Sequence, residues 1–237
     1  MTHLIEIHQN NQIAAGNCVA SEQSLKDILP QLTSSFEQYL LDEGIEGEIS
    51  WEKELKFENC SIRPDGGLFY MKCVKGTFCF LVVEDKYQGT NDKRYTEGKK
   101  KQSTGNAIER AFKNLNASWH LFKDLHISPY VVFVAGCDFH HSESIIHRIG
   151  PVSNFGRNPI IREALPDGTF DMNGFCEKIN IIKDQNREFG IFCVKAHKYD
   201  EHQNRTSMWS STERLHVLEY TGKKAIKEIN RHLNSYE

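Results

Sequence analysis

Phe78-Cys79-Phe80-Leu81-Val82-Val83-Glu84-Asp85-Lys86 is the stretch on which the fold turns. Its first six residues are apolar, aromatic or β-branched, which predicts a buried strand. Side chains on a strand alternate between faces, so Glu84 and Lys86 fall on one side and Asp85 on the other. Upstream, Asp65 in Pro64-Asp65-Gly66-Gly67 opens a turn into Leu68-Phe69-Tyr70-Met71-Lys72-Cys73-Val74. Lys75-Gly76 then predicts a hairpin turn leading straight into the Glu84 strand. Asp65 therefore starts one strand and Glu84 ends its antiparallel neighbour, so two carboxylates and an ammonium meet at one strand end. Such a group suits a divalent cation beside a phosphodiester. An exposed turn followed by a solvated strand end would use the same residues without any chemistry, and so short a motif does not separate the two.

The chain of 237 residues is long enough to bury one substantial core, and a single domain over 1–237 is expected. Hydrophobic residues make up 39% and charged residues 26%, an ordinary globular composition. No apolar stretch reaches the length of a membrane span. The start, Met1-Thr2-His3-Leu4-Ile5-Glu6, lacks the basic and apolar regions of a signal peptide, and a cytoplasmic location is expected. Seven cysteines at positions 18, 60, 73, 79, 137, 176 and 193 form no Cys-x-x-Cys pair and no zinc spacing with histidine. Cys79 and Cys193 fall within apolar strands and read as reduced core thiols. His140-His141 with His147 has no partner spacing that supports a metal site.

The net charge of −3 selects no class of partner, but its distribution is informative. Lys93, Arg94, Lys99, Lys100 and Lys101 face one acid, Glu97, giving a local charge of +4 over residues 93–101. Placed just after the candidate site, this segment can engage phosphates, or it can be a solvated loop. Residues 22–43 repeat apolar positions at helical spacing, with Pro30 expected to kink or split the helix. A short strand and connection are predicted over 46–58. Ser103 or Thr104 can cap a helix in which Ile108, Ala111, Phe112, Leu115, Trp119 and Phe122 return to one face over about five turns. Ser128–Gly136 reads as a central strand covered on both faces. Residues 139–170 read as loop, 173–183 as helix, Phe189–Val194 as a buried strand, 215–219 as a strand and Lys223–Leu233 as a helix. That order predicts an α/β sandwich around a mixed sheet.

Three blocks, Ser61-Ile62-Arg63-Pro64-Asp65-Gly66-Gly67, Glu84-Asp85-Lys86-Tyr87-Gln88-Gly89 and Gly105-Asn106-Ala107-Ile108-Glu109-Arg110, come in this order. Together they resemble the EcoRI-type type II restriction endonucleases of the PD-(D/E)xK nuclease superfamily. A weaker likeness continues through Pro129-Tyr130-Val131-Val132-Phe133 and His147-Arg148-Ile149. The resemblance implies a restriction-endonuclease-like sandwich whose central mixed sheet, of the five-stranded type, is flanked by helices. It divides the chain into a catalytic hairpin at 61–88, a basic arm at 89–102 and a base-reading helix at 103–123.

The resemblance also implies Mg²⁺-dependent double-strand cutting of DNA at a short palindrome, leaving 5′-phosphates. Asp65, Glu84 and Lys86 would be catalytic, with Asp65, Glu84 and the backbone carbonyl of Asp85 holding the metal. Lys86 would orient or deprotonate the attacking water, or stabilise negative charge. Gly105, Asn106, Ala107 and Arg110 would read an AATT centre. An amide at Asn106 matches adenine N6 and N7, and the near absence of side chain at Gly105 and Ala107 admits base edges. Glu109 would buttress Arg110, and Lys113 would meet a phosphate. Arg148 would belong to the outer-base readers. A palindrome implies a two-fold homodimer, and a restriction system implies a cognate DNA methyltransferase.

Two departures bear on specificity. Asn106 follows Glu84 by only 22 positions, so the basic arm is shorter than the resemblance leads one to expect. Pro151 stands where a second outer-base arginine would follow Arg148. Two other readings fit the same residues: a nuclease of repair or recombination, and a non-catalytic DNA-binding protein on the same scaffold. The Gly105–Arg110 block speaks against the first, and the intact Asp65, Glu84 and Lys86 against the second.

Overall fold

Strand β4 (Gly67–Cys73) and strand β5 (Gly76–Tyr87) form the predicted hairpin, and the rest of the sheet is built outward from it. The structure, a computed structural model, describes residues 19–56, 61–88, 91, 94, 97–100, 103–136, 160–163, 177–184, 187–195 and 209–235. The hairpin turn is Val74-Lys75 rather than Lys75-Gly76, because Cys73 pairs with Gly76. Gly76 opens β5 with φ +137, a conformation side chains resist.

The register of the hairpin shifts between Phe69 and Tyr70, which pair with Leu81 and Cys79 and leave Phe80 as the extra residue of a bulge. Phe80 and Leu81 therefore both pack into one core. Beyond the bulge the alternation resumes, with Val82 in the opposite core and Val83 back in the first. That phase sends Glu84 and Lys86 to one face and Asp85 to the other.

The full sheet has seven strands in the order β1-β4-β5-β6-β9-β8-β7. Strand β1 (Glu48–Glu52) pairs antiparallel with β4, and β6 (Tyr130–Ala135) pairs parallel with β5. Strand β9 (Arg187–Lys195) is parallel to β6. Strands β8 (Glu177–Asp184) and β7 (Ile160–Glu163) extend this mixed sheet by antiparallel pairing. Two short strands, β2 (Leu55–Lys56) and β3 (Ser61–Ile62), pair separately. All six residues of β6 are buried, as the continuous apolar run predicts.

Helices cover both faces. Helix α1 (Val19–Asp42) and helix α3 (Ser211–Asn234) pack on one side, around Leu32, Phe36, Phe69, Phe80, Leu81, Phe133 and Ile226. Phe36 meets Phe80 edge-on at 5.0 Å, and Gly222 of α3 leaves room for the Phe36 ring. Helix α2 (Thr104–Ser118) covers the other face, with Ile108, Ala111 and Leu115 packed on Leu68, Val82, Tyr130 and Val132. The expected α/β sandwich with a mixed central sheet is therefore present.

Four local expectations are corrected. Pro30 does not split α1; it is exposed, so the carbonyl deprived of its bond faces water. Residues 177–184 form strand β8 and not a helix, because Ile179 and Ile181 find β9 beside them across a short connection. Residues 215–219 lie inside α3, not in a strand. The helix begins earlier, at a capping box in which Ser210 accepts from the Glu213 amide while Glu213 accepts from the Ser210 amide. Helix α2 ends at Ser118 and continues as a 3₁₀ turn over Trp119–Leu121 before Phe122 enters the core. Among the described residues no helix is long and apolar enough to cross a membrane.

Candidate active site at the end of strand β5

The Pro64–Gly67 turn places Asp65 beside the end of β5. Gly67 donates to the Pro64 carbonyl, and Gly66 donates to Val83 O at 2.9 Å. Neither glycine can be replaced cheaply. A Cβ on Gly66 would lie 2.6 Å from Val83, and Gly67 holds φ +81 with the Trp51 indole against it. Trp51 Nε1 donates to Gly66 O at 3.0 Å and closes the turn from the far side.

Asp65, Glu84 and Lys86 converge. Lys86 Nζ donates to Asp65 Oδ2 at 2.8 Å and also to Glu84 Oε1. The Asp65 amide points at Glu84 Oε2 at 3.4 Å. Exposure is graded across the three, from 2% for the Glu84 side chain through 14% for Lys86 to 45% for Asp65. The site therefore opens toward solvent on the Asp65 side. Burial raises the Glu84 carboxyl above its ordinary range, against the pull of Lys86. Burial draws the Lys86 ammonium down, but Glu84 and Asp65 outweigh it and hold its proton more tightly than usual.

The donor set suits a hard divalent cation. Two carboxylates from different elements reach one small cationic centre, here the Lys86 ammonium. Among the described residues no group of three or more His, Cys, Asp or Glu side chains is placed to hold a metal ion. Further ligands at this point would have to be backbone oxygen, water or phosphate, which is how Mg²⁺ is commonly held. The Asp85 side chain is turned away, so only its backbone is available on this face.

Two residues of the site were not anticipated. Asn114 of α2 donates from Nδ2 to Glu84 Oε1 at 3.1 Å, so the helix that carries the Gly105–Arg110 block also supports the buried acid. Arg214 of α3 binds Asp85 Oδ1 on the opposite face of β5. Both partners are remote in sequence, and no local signal marks them.

The Gly105–Arg110 block lies along α2. Ile108 and Ala111 are buried, while Asn106, Glu109, Arg110 and Lys113 are exposed on the helix surface. Gly105 lies in the first turn of the helix and Ala107 is half-buried. Of the basic segment, Lys99 and Lys100 are exposed, Lys99 pairs with Glu97 at 2.8 Å, and Arg94 donates to Lys100 O. Arg148, Lys93, Lys101 and the histidines at 140, 141 and 147 lie outside the described residues. Cys79 and Cys193 are buried free thiols.

The family model for restriction endonuclease EcoRI matches residues 8–236. The type II restriction enzyme RsrI of Cereibacter sphaeroides is 30% identical over 138 residues, 54% of this chain and 50% of that protein. The type II restriction enzyme EcoRI of Escherichia coli is 33% identical over 90 residues, 34% of this chain and 32% of that protein. The matched stretches thus span half or less of these relatives.

Proposed function

The chain belongs to the EcoRI restriction endonuclease family, and from that premise we propose that it is a type II restriction endonuclease cutting both strands of DNA at a short palindrome. The observation that carries the reading is the convergence of Asp65, Glu84 and Lys86 at the open end of β5. Asp65 and Glu84 would hold Mg²⁺, with the Asp85 carbonyl as a further ligand. When bound, Mg²⁺ lowers the pKa of a coordinated water and acts as a Lewis acid on the scissile phosphate. Lys86 brings positive charge to the same point, where it can donate to the attacking water or to a phosphate oxygen. Asn114 fixes the Glu84 carboxylate against rotation. The chain end released with phosphate would be the 5′ end.

Gly105, Asn106, Ala107 and Arg110 would read an AATT centre from the major groove, with Glu109 supporting Arg110 and Lys113 on a phosphate. The exposure of Asn106, Glu109, Arg110 and Lys113 along one helix supports this. Arg148 would contribute at the outer base pair. A palindrome needs two copies of the site related by a two-fold axis, so the working form would be a homodimer with residues 103–123 near the dyad. A matching DNA methyltransferase would protect the host.

Digestion of random-sequence DNA with Mg²⁺, followed by sequencing of the cut ends, tests the reading. Discrete ends around a common AATT centre are expected, whereas a smear without a shared sequence points to a repair or recombination nuclease. The Glu84→Ala variant should bind the same DNA and leave it intact. If wild type and variant bind alike and neither cuts, the enzyme reading fails.

A further inference from the structure

Arg214 is 1% exposed, and the chemistry described so far makes no use of it. Its Nη1 binds Asp85 Oδ1, its Nε donates to Trp209 O at 3.3 Å, and its guanidinium lies 4.8 Å over the Phe133 ring. We propose that Arg214 is a positioning residue for the Asp65–Glu84–Lys86 site, acting through Asp85 from the opposite face of the sheet. The inference rests on the nuclease reading of that site.

The end of β5 needs such a hold. Pairing with β4 stops at Gly67 and Val83, so among the described residues Glu84 to Tyr87 have a paired strand on one flank only. On that flank they pair with Val132, Phe133, Val134 and Ala135 of β6. The site residues therefore sit on a half-supported strand end, where twisting or fraying is easiest. Asp85 points from the middle of this segment toward α3, between the two residues that face the site.

Arg214 is itself anchored to the same neighbour. Trp209, whose carbonyl Arg214 binds, donates from Nε1 to Val134 O of β6 at 3.1 Å. The Ser210–Glu213 capping box fixes the start of the helix that carries Arg214. The strand end is thus clamped to β6 twice, by its own ladder and through Asp85, Arg214 and Trp209.

Stability does not account for the pair. Burying an ion pair gains little over apolar side chains of similar volume, because desolvation offsets the attraction. Asp85 Oδ2 has no hydrogen-bond partner among the described residues, so the pair is also incompletely satisfied. Directionality is what two apolar residues could not reproduce. The Arg–carboxylate bond specifies where Asp85 stands, and with it the rotation of Glu84 and Lys86.

The Asp85→Asn variant and the apolar pair Asp85→Ala with Arg214→Met test this in the metal-free protein and in the cutting assay. Amide exchange reads the strand end directly. Val82 and Gln88 donate to Pro129 O and Ala135 O, so the alternate amides of Glu84, Lys86 and Gln88 point to β6. Exchange at these three amides should speed at least about tenfold while residues 79–83 keep wild-type protection. The cutting rate at saturating DNA should fall at least about tenfold with KM unchanged. Unchanged exchange, a uniform loss of protection along β5, or selective loosening with full cutting would each overturn the proposal. Asp85→Asn is nearly isosteric and decides the matter if the apolar pair fails to fold. A wild-type protein that never cuts sinks the nuclease reading instead, and the exchange measurement still decides whether Arg214 holds the strand end.

Discussion

Glu84 is a carboxylate kept where its charge is unwelcome. Burial raises its pKa despite Lys86 and Asn114, so its ionisation opposes folding. The sign follows from the raised value: the penalty is present above the folded pKa and vanishes as pH falls through it. Glu84→Gln keeps an acceptor for Asn114 and removes the charge. The variant should therefore be inactive yet no less stable at neutral pH, with a melting temperature equal to wild type or up to roughly 4 °C higher. The difference should close on acidification, and calorimetry across pH checks it. Burial also pushes the Cys79 thiol up to about 12. Iodoacetamide at pH 8 should leave Cys79 unlabelled in the native protein and label it after unfolding, as peptide mass spectrometry would reveal. The acids and the lysine were legible in the sequence because they lie within one hairpin, where alternation and turn residues fix their relation. Asn114 and Arg214 were not, since their partners are 30 and 129 residues away.

The elements that position the site depend on a few local devices. In the Asp65 turn, a side chain at position 67 would meet Trp51 and the Glu52 carbonyl in an unfavourable backbone region. Gly67→Ala should destabilise by about 2–3 kcal/mol, lowering the melting temperature by roughly 5–10 °C. At the start of α3, Ser210→Ala removes half of the capping box and should cost about 1 kcal/mol in denaturant unfolding. A loss well below that figure would show the cap to be dispensable. Strand β6 was legible as a continuous apolar run and most of α2 by its helical periodicity. Periodicity failed for β8 and for the start of α3. Ile179, Ile181 and Ile182 satisfy both spacings, and β9 decides between them. Leu215 and Val217 alternate like a strand, yet Thr221, Ala225 and Ile229 continue the buried stripe of a helix. The bulge at Phe80 leaves no mark in the sequence, although it sets the face on which Glu84 stands.

At the scale of the molecule, the sheet separates chemistry from support. Helix α2 lies over the side that holds Glu84 and Lys86, while α1 and α3 fill the other side with the larger core. The sandwich was legible from the order of elements; the full sheet was not, because β7 and β8 join by pairings that no local pattern announces. If two chains act on one palindrome, sedimentation should give twice the 27.3 kDa of the chain. A single-chain mass on cognate DNA, with nicking in place of double-strand cuts, would exclude the dimer. The pairing of Asp85 with Arg214 has a further consequence in the order of synthesis. The hairpin leaves the ribosome early, with Asp65, Glu84 and Lys86 already close in sequence. The cation that meets Asp85 follows 129 residues later, and contacts of such long range form late in folding. A nascent chain without α3 would therefore carry the acids and the lysine on a strand end not yet braced, and under the proposed reading ordered cutting would wait for that helix.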